Sequence, residues 1–142
     1  MTSPNPNPRE KAPAPKASPG SGCEARCDPA RNLIRIRYMG HVAAAETKAG
    51  AEELKALLPQ VRKGFTLVTD LSSLDSMELD AAPHVAKIMD SCRAKGVSTV
   101  VRIIPDPKKD IGFNILSKVH YRRGVSVITC HDAAEAERYI KA

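Results

Sequence analysis

The chain has no tryptophan, and only five of its 142 residues are Phe or Tyr. Single-stranded nucleic-acid sites stack bases on aromatic platforms set among dense cations, so this scarcity argues against that class of partner. The net charge of +6 is consistent with that, because both signs are interspersed and the N-terminal Arg9, Lys11 and Lys16 against Glu10 already supply +2. Apolar runs are short. None approaches the roughly 20 residues of a spanning helix, and the N-terminus lacks the continuous apolar stretch of a secretory signal, so membrane insertion is not expected and a soluble, cytoplasmic protein is.

Chemistry-bearing patterns are scarce as well. No glycine-rich phosphate loop follows a strand, and no Cys-x-x-Cys pair appears; Cys23 and Cys27 are one residue too far apart for the usual close zinc pair. No metal and no cofactor are therefore expected, and the four cysteines read as free thiols in a reducing compartment. Cys130-His131-Asp132 holds the side chains of a thiol triad, but neighbours on an extended segment point to opposite faces. Cys130 reads as a buried strand end, and the chain is expected not to be an enzyme.

What is present is a rhythm. Lys63-Gly64-Phe65, Lys95-Gly96-Val97 and Arg123-Gly124-Val125 each set a cation and a glycine before a β-rich run. A left-handed glycine closes a helix, and a cation near it faces the negative end of the helix dipole, so each junction reads as a helix end followed by a strand. The spacings of 32 and 28 residues suit strand-helix units.

Residues 1-22 hold six prolines and no Leu, Ile, Val or aromatic side chain, so they read as a disordered tail before a domain over 23-142. Cys23 to Cys27, a turn over Asp28 to Asn32, and Leu33 to Met39 predict a hairpin, with Ile34, Ile36 and Tyr38 on one face and Arg35 and Arg37 on the other. Three-and-four spacing predicts helices over Ala44 to Val61 (Ala51, Leu54, Leu57, Leu58, Val61), near Val85 to Cys92, over Ile111 to Val119, and over Ala133 to Ile140. Phe65 to Val68, Val97 to Ile104 and Val125 to Thr129 predict strands. The expected fold is a single small α/β domain: an N-terminal hairpin, then βα repeats, a mainly parallel sheet of four or five strands and about four helices.

In such a sheet, ligands meet the loops at the carboxyl ends of the strands: Gly40-His41, Asp70 to Asp80, Pro105 to Asp110, and Cys130 to Asp132. The second is the most polar, and Asp70, Ser72, Ser73, Asp75, Ser76, Glu78 and Asp80 are the candidate partner-binding residues. Asp80, ahead of a helix, also reads as an N-terminal cap.

Phe65-Thr66-Leu67-Val68-Thr69-Asp70-Leu71-Ser72, the following helix, and Ala94-Lys95-Gly96-Val97 resemble the STAS domain, the fold of bacterial anti-sigma-factor antagonists and of an uncharacterised STAS or Sec14-like group. The resemblance covers about Cys23 to Ala142. It implies a non-enzymatic regulatory module whose partner is a regulatory protein, such as a kinase-like or sigma-control component. Sec14-like relatives imply an alternative, a carrier or sensor of lipids or small ligands, with a cavity expected behind Ile111 to Val119. Antagonists of the family carry Asp-Ser-Ser-Gly at the start of a helix, and those positions fall here on Glu78-Leu79-Asp80-Ala81. Asp80 occupies the phosphoacceptor position, where its fixed charge imitates part of a phosphate. Ser76, beside Asp75, is the substitute acceptor.

Overall fold

A computed structural model describes residues 22–106 and 124–140. The expected tail, apart from Gly22, and the expected helix Ile111 to Val119, with the cavity behind it, lie outside the described residues.

Five strands form one sheet in the order β1-β2-β3-β4-β5: β1 (Gly22–Asp28), β2 (Leu33–Val42), β3 (Thr66–Met77), β4 (Thr99–Ile103) and β5 (Ser126–Cys130). β1 runs antiparallel to β2 at one edge, and every later pairing is parallel. The hairpin closes as its sequence predicts. Asp28 accepts a hydrogen bond from the Arg31 amide, Pro29 opens a 3-10 turn, and Asn32 takes the left-handed conformation at φ 52°.

Three α-helices are described: α1 (Ala44–Leu57), α2 (Ala82–Lys95) and α3 (Ala133–Glu137). α1 is shorter than the expected Ala44 to Val61, because Pro59 belongs to a separate 3-10 turn, Leu58–Gln60. Pro83 sits in the first turn of α2, where its missing N–H costs no helical bond. The C-terminal helix stops at Glu137 instead of Ile140.

All three junction glycines are left-handed, at φ 88°, 104° and 85° for Gly64, Gly96 and Gly124. Only Gly96 is shown closing a helix. Gly64 lies in a turn beyond the 3-10 segment, and its amide donates to the Gly96 carbonyl at 2.7 Å, which ties the starts of β3 and β4 together.

Alternation along the strands builds two apolar layers. Ile34, Ile36, Tyr38, Leu67, Leu71 and Val100 pack with Leu54 of α1 and Val85, Ile88, Met89 and Cys92 of α2. On the opposite face Leu33, Val68, Val101, Ile103 and Cys130 pack with Ala136 and Ile140. The second layer stops short of β1 and the middle of β2, which leaves Arg26, Arg35 and Arg37 half-buried or exposed on that face.

Candidate functional site

Two expected loops are strand. β2 runs through Gly40 and His41 to Val42, and β3 continues from Asp70 to Met77, so most of the expected Asp70 to Asp80 loop is extended backbone paired with β2. The polar sequence is accommodated by two irregularities. Arg37 and Met39 face Asp70 and Ser73, and Gly40 and His41 face Leu74 and Ser76, so β3 carries an extra residue at each step. These steps let both Leu71 and Leu74 reach the core while Ser72, Ser73, Asp75 and Ser76 stay exposed.

Pairing of β3 with β4 ends at Asp70 and Ile103. Among the described residues, the outer half of β3 therefore has a strand partner on the β2 side only.

Asp70 stands at that boundary and is buried. Its Oδ1 accepts from the Ser72 amide at 2.9 Å and from the Ser72 hydroxyl at 2.5 Å, and its Oδ2 lies 3.8 Å from both Arg35 Nη1 and Arg37 Nε. A buried carboxylate is tolerated when such partners compensate its lost hydration. The charges extend further. Glu137 of α3 accepts from Arg31 at 2.8 Å and lies 4.0 Å from Arg35, while Glu24 of β1 lies 3.8 Å from Arg37 and 3.3 Å from Arg26. This lattice joins β1, β2, β3 and α3, which gives Asp70 and Ser72 a framework role besides any contact with a partner.

The tip is organised differently. Ser76 Oγ and His41 Nδ1 are 2.6 Å apart, and His41 Nε2 is 3.8 Å from Glu78 Oε2. The other oxygen of Glu78 accepts from the Ala44 amide at 3.1 Å, and the Glu78 amide donates to the Val42 carbonyl at 2.9 Å. Glu78 thus ties the end of β3 to the first turn of α1, where a carboxylate is favoured. His41 lies 35 positions from Ser76, and only the strand register, with its two extra residues, brings them together.

A 3-10 turn, Leu79–Ala81, follows and leads into α2. Asp80 lies inside this turn; the residue preceding α2 is Ala81, and no side chain caps it, so the expected capping role is not realised. Leu79 is 89% exposed, between the exposed carboxylates of Glu78 and Asp80. No Lys or Arg occurs between Lys63 and Lys87, so in a basic chain this stretch is locally acidic.

The other candidates resolve into structural roles. Cys130 is buried at the end of β5, the His131 amide donates to Glu135 at 2.8 Å, and Asp132 caps α3 by accepting from the Glu135 amide at 2.8 Å. Burial first, then Glu135 and Asp132, push the Cys130 thiol up, which disfavours the nucleophilic thiolate. Burial, then Glu53, Glu46 and Glu24, push Cys23 up to about 12. Cys23 and Cys27 pack against the α1/α2 layer, and all four cysteines are free thiols. Among the described residues no group of three His, Cys, Asp or Glu side chains could hold a metal ion, and no helix is long and apolar enough to cross a membrane.

This architecture, a β hairpin leading into parallel βα units, is that of the SpoIIAA-like, or STAS-like, fold. Solved structures that share it include the following three. An uncharacterised protein of the DUF3478 family with a SpoIIAA-like fold, from Shewanella loihica PV-4, superposes with a TM-score of 0.65 at 13% identity, over 89% of this chain and 99% of its own. The anti-sigma factor antagonist SpoIIAA in its unphosphorylated form gives 0.56 at 16% identity, over 83% and 94%. An anti-sigma factor antagonist from Mycobacterium paratuberculosis gives 0.55 at 15% identity, over 88% and 98%. No protein-family profile and no curated protein sequence matches the chain.

Proposed function

We propose that the protein is a regulatory, protein-binding module that works without catalysis, and that its contact surface is the exposed outer half of β3 with the turn after it: Ser72, Ser73, Asp75, Ser76, Glu78 and Asp80, with Asp70 setting the base. One observation supports this most. An acidic, solvent-exposed stretch lies at the carboxyl end of a parallel strand, in a fold shared with two anti-sigma factor antagonists. By that likeness the partner is a regulatory protein, such as a kinase-like component, met in the cytoplasm. Partner cations around an apolar recess would complement the carboxylates and Leu79.

Ser76 is the modification position in this reading. Its hydroxyl is exposed beside the His41 ring, and a phosphate there would add up to two negative charges next to Glu78. Mass spectrometry of the protein from its native cells reads this directly. A phosphate found elsewhere on the chain and not on Ser76 removes the assignment.

The surface itself is tested by affinity capture from native extract. Asp80→Lys touches no hydrogen bond described above, so it should leave the circular dichroism spectrum unchanged while weakening retention of the partner about tenfold, roughly 1.4 kcal/mol. Asp75→Lys, where it folds, should weaken retention in the same direction. If folded variants of both retain the same proteins as the parent, this surface is not the contact.

A further inference from the structure

The two edges of the sheet are treated differently. At the β1 edge, α1 packs close: a Cβ on Gly50 would lie 2.3 Å from Cys23 Sγ, and the carboxylate of Glu53 accepts the Ala25 amide at 2.7 Å. That edge also carries Glu24 and Arg26. Covering and charging an edge are the usual devices against strand addition.

β5, at the other edge, carries no charged side chain, and no described strand pairs with its outer side. Its sequence, Ser126-Val127-Ile128-Thr129-Cys130, contains no charge and no proline, and Ser126, Val127 and Thr129 are exposed. The register fixes which backbone groups face outward. The Ser126 amide donates to the Ser98 carbonyl at 3.0 Å, and the Cys130 carbonyl accepts from Ile104 at 2.8 Å, so residues 126, 128 and 130 bond toward β4. In a parallel pair the intervening residues turn both N–H and C=O away from the neighbour. Val127 and Thr129 therefore present two donors and two acceptors to the outside, and no described strand lies there.

We propose that β5 is a self-association edge, which pairs antiparallel with β5 of a second copy of this chain about a two-fold axis through Ile128. The choice of a second copy follows from self-complementarity. Centred on Ile128, the pairing sets Val127 opposite Thr129 of the second copy and Thr129 opposite its Val127, two pairs that exchange both hydrogen bonds, four bonds in all. Ile128 meets its own counterpart, and Ser126 meets Cys130. A two-fold axis brings each residue near its equivalents, so a charge on this strand would sit among like charges; β5 carries none. β-branched pairs facing each other across strands are favourable. A five-residue ribbon is a small interface, so the dimer belongs to the weak, concentration-dependent class.

Analytical ultracentrifugation of the full chain under reducing conditions tests this. The parent should shift from monomer mass to dimer mass as concentration rises from low micromolar to millimolar. Val127→Pro removes an outward amide that makes no bond to β4, so the variant should fold and remain monomeric at every concentration. Hydrogen exchange supplies the second measurement: in the parent, the Val127 and Thr129 amides should exchange several-fold faster on dilution, with Ser126 and Ile128 unaffected. A parent that stays monomeric at millimolar concentration overturns the proposal, and so does a dimer that Val127→Pro leaves intact. Protection of Val127 and Thr129 that does not depend on concentration also overturns it, since the edge would then be covered by this chain's own residues.

Discussion

Raising the pH from about 8 to about 11 is expected to remove on the order of 5 kcal/mol of folding stability. Cys23 and Cys92 hold their protons in the folded state up to about 12, against 9.0 for an ordinary thiol, Cys92 through burial alone and Cys23 through burial and three nearby carboxylates. Both shifts are upward. Below about pH 9 folded and unfolded chains both keep these protons, and stability does not change on their account. Between about 9 and 12 only the unfolded chain releases them, so each thiol draws the equilibrium toward unfolding by up to about 1.4 kcal/mol per pH unit. Buried Tyr38, also shifted well upward by burial, acts in the same direction at the upper end of the range. Two thiols over two pH units approach the whole stability of an ordinary small domain. Urea midpoints at pH 8, 9.5 and 11 with reductant present measure this. Cys92→Ala should lower the starting stability and flatten the decline; a midpoint that does not move between pH 8 and 11 refutes the account.

The second large effect is steric. Gly50→Ala should lower stability by about 2 kcal/mol, although alanine gains about 1 kcal/mol over glycine in a helix. The new Cβ would stand 2.3 Å from Cys23 Sγ and 3.0 Å from its Cβ, so the Cys23 side chain must turn away or helix α1 must shift from the edge of the sheet. Overpacking of this kind costs more than propensity returns. Adding Cys23→Ala, which removes the nearest atom, should recover part of the loss, with a coupling above about 1 kcal/mol in the double-mutant cycle. A Gly50→Ala protein as stable as the parent would show that α1 and β1 adjust freely.

The fold was more legible in the chain than the site was. Ile34, Ile36 and Tyr38 alternate with Arg35 and Arg37 because one face of β2 is a core wall and the other an ionic lattice, and a period of two reports that directly. The stripe Val85, Ile88, Met89, Cys92 marks α2 equally clearly. The outer half of β3 was hidden for a definite reason. Leu71, Leu74 and Met77 recur every three residues, which matches no strand, because each irregularity against β2 inserts a residue and resets the alternation. Serine and aspartate then made the segment resemble a loop. The seven polar candidates are neighbours in sequence, but their division was not visible there: Asp70 and Ser72 belong to the lattice at the base, Ser76 and Glu78 to the cluster with His41 at the tip. That division depends on a cross-strand register with no local signature.

The continuation of β3 as strand to Met77 changes the energetics of recognition. A loop must lose conformational freedom when it is captured, about 1–2 kcal/mol for each backbone residue that becomes fixed. Residues 71–77 are already held by pairing with β2, and Glu78 is held by Val42 and Ala44. A protein docking here would meet a preorganised surface. Association would then be close to rigid-body, and its affinity would reflect the side chains in contact instead of the work of ordering a segment.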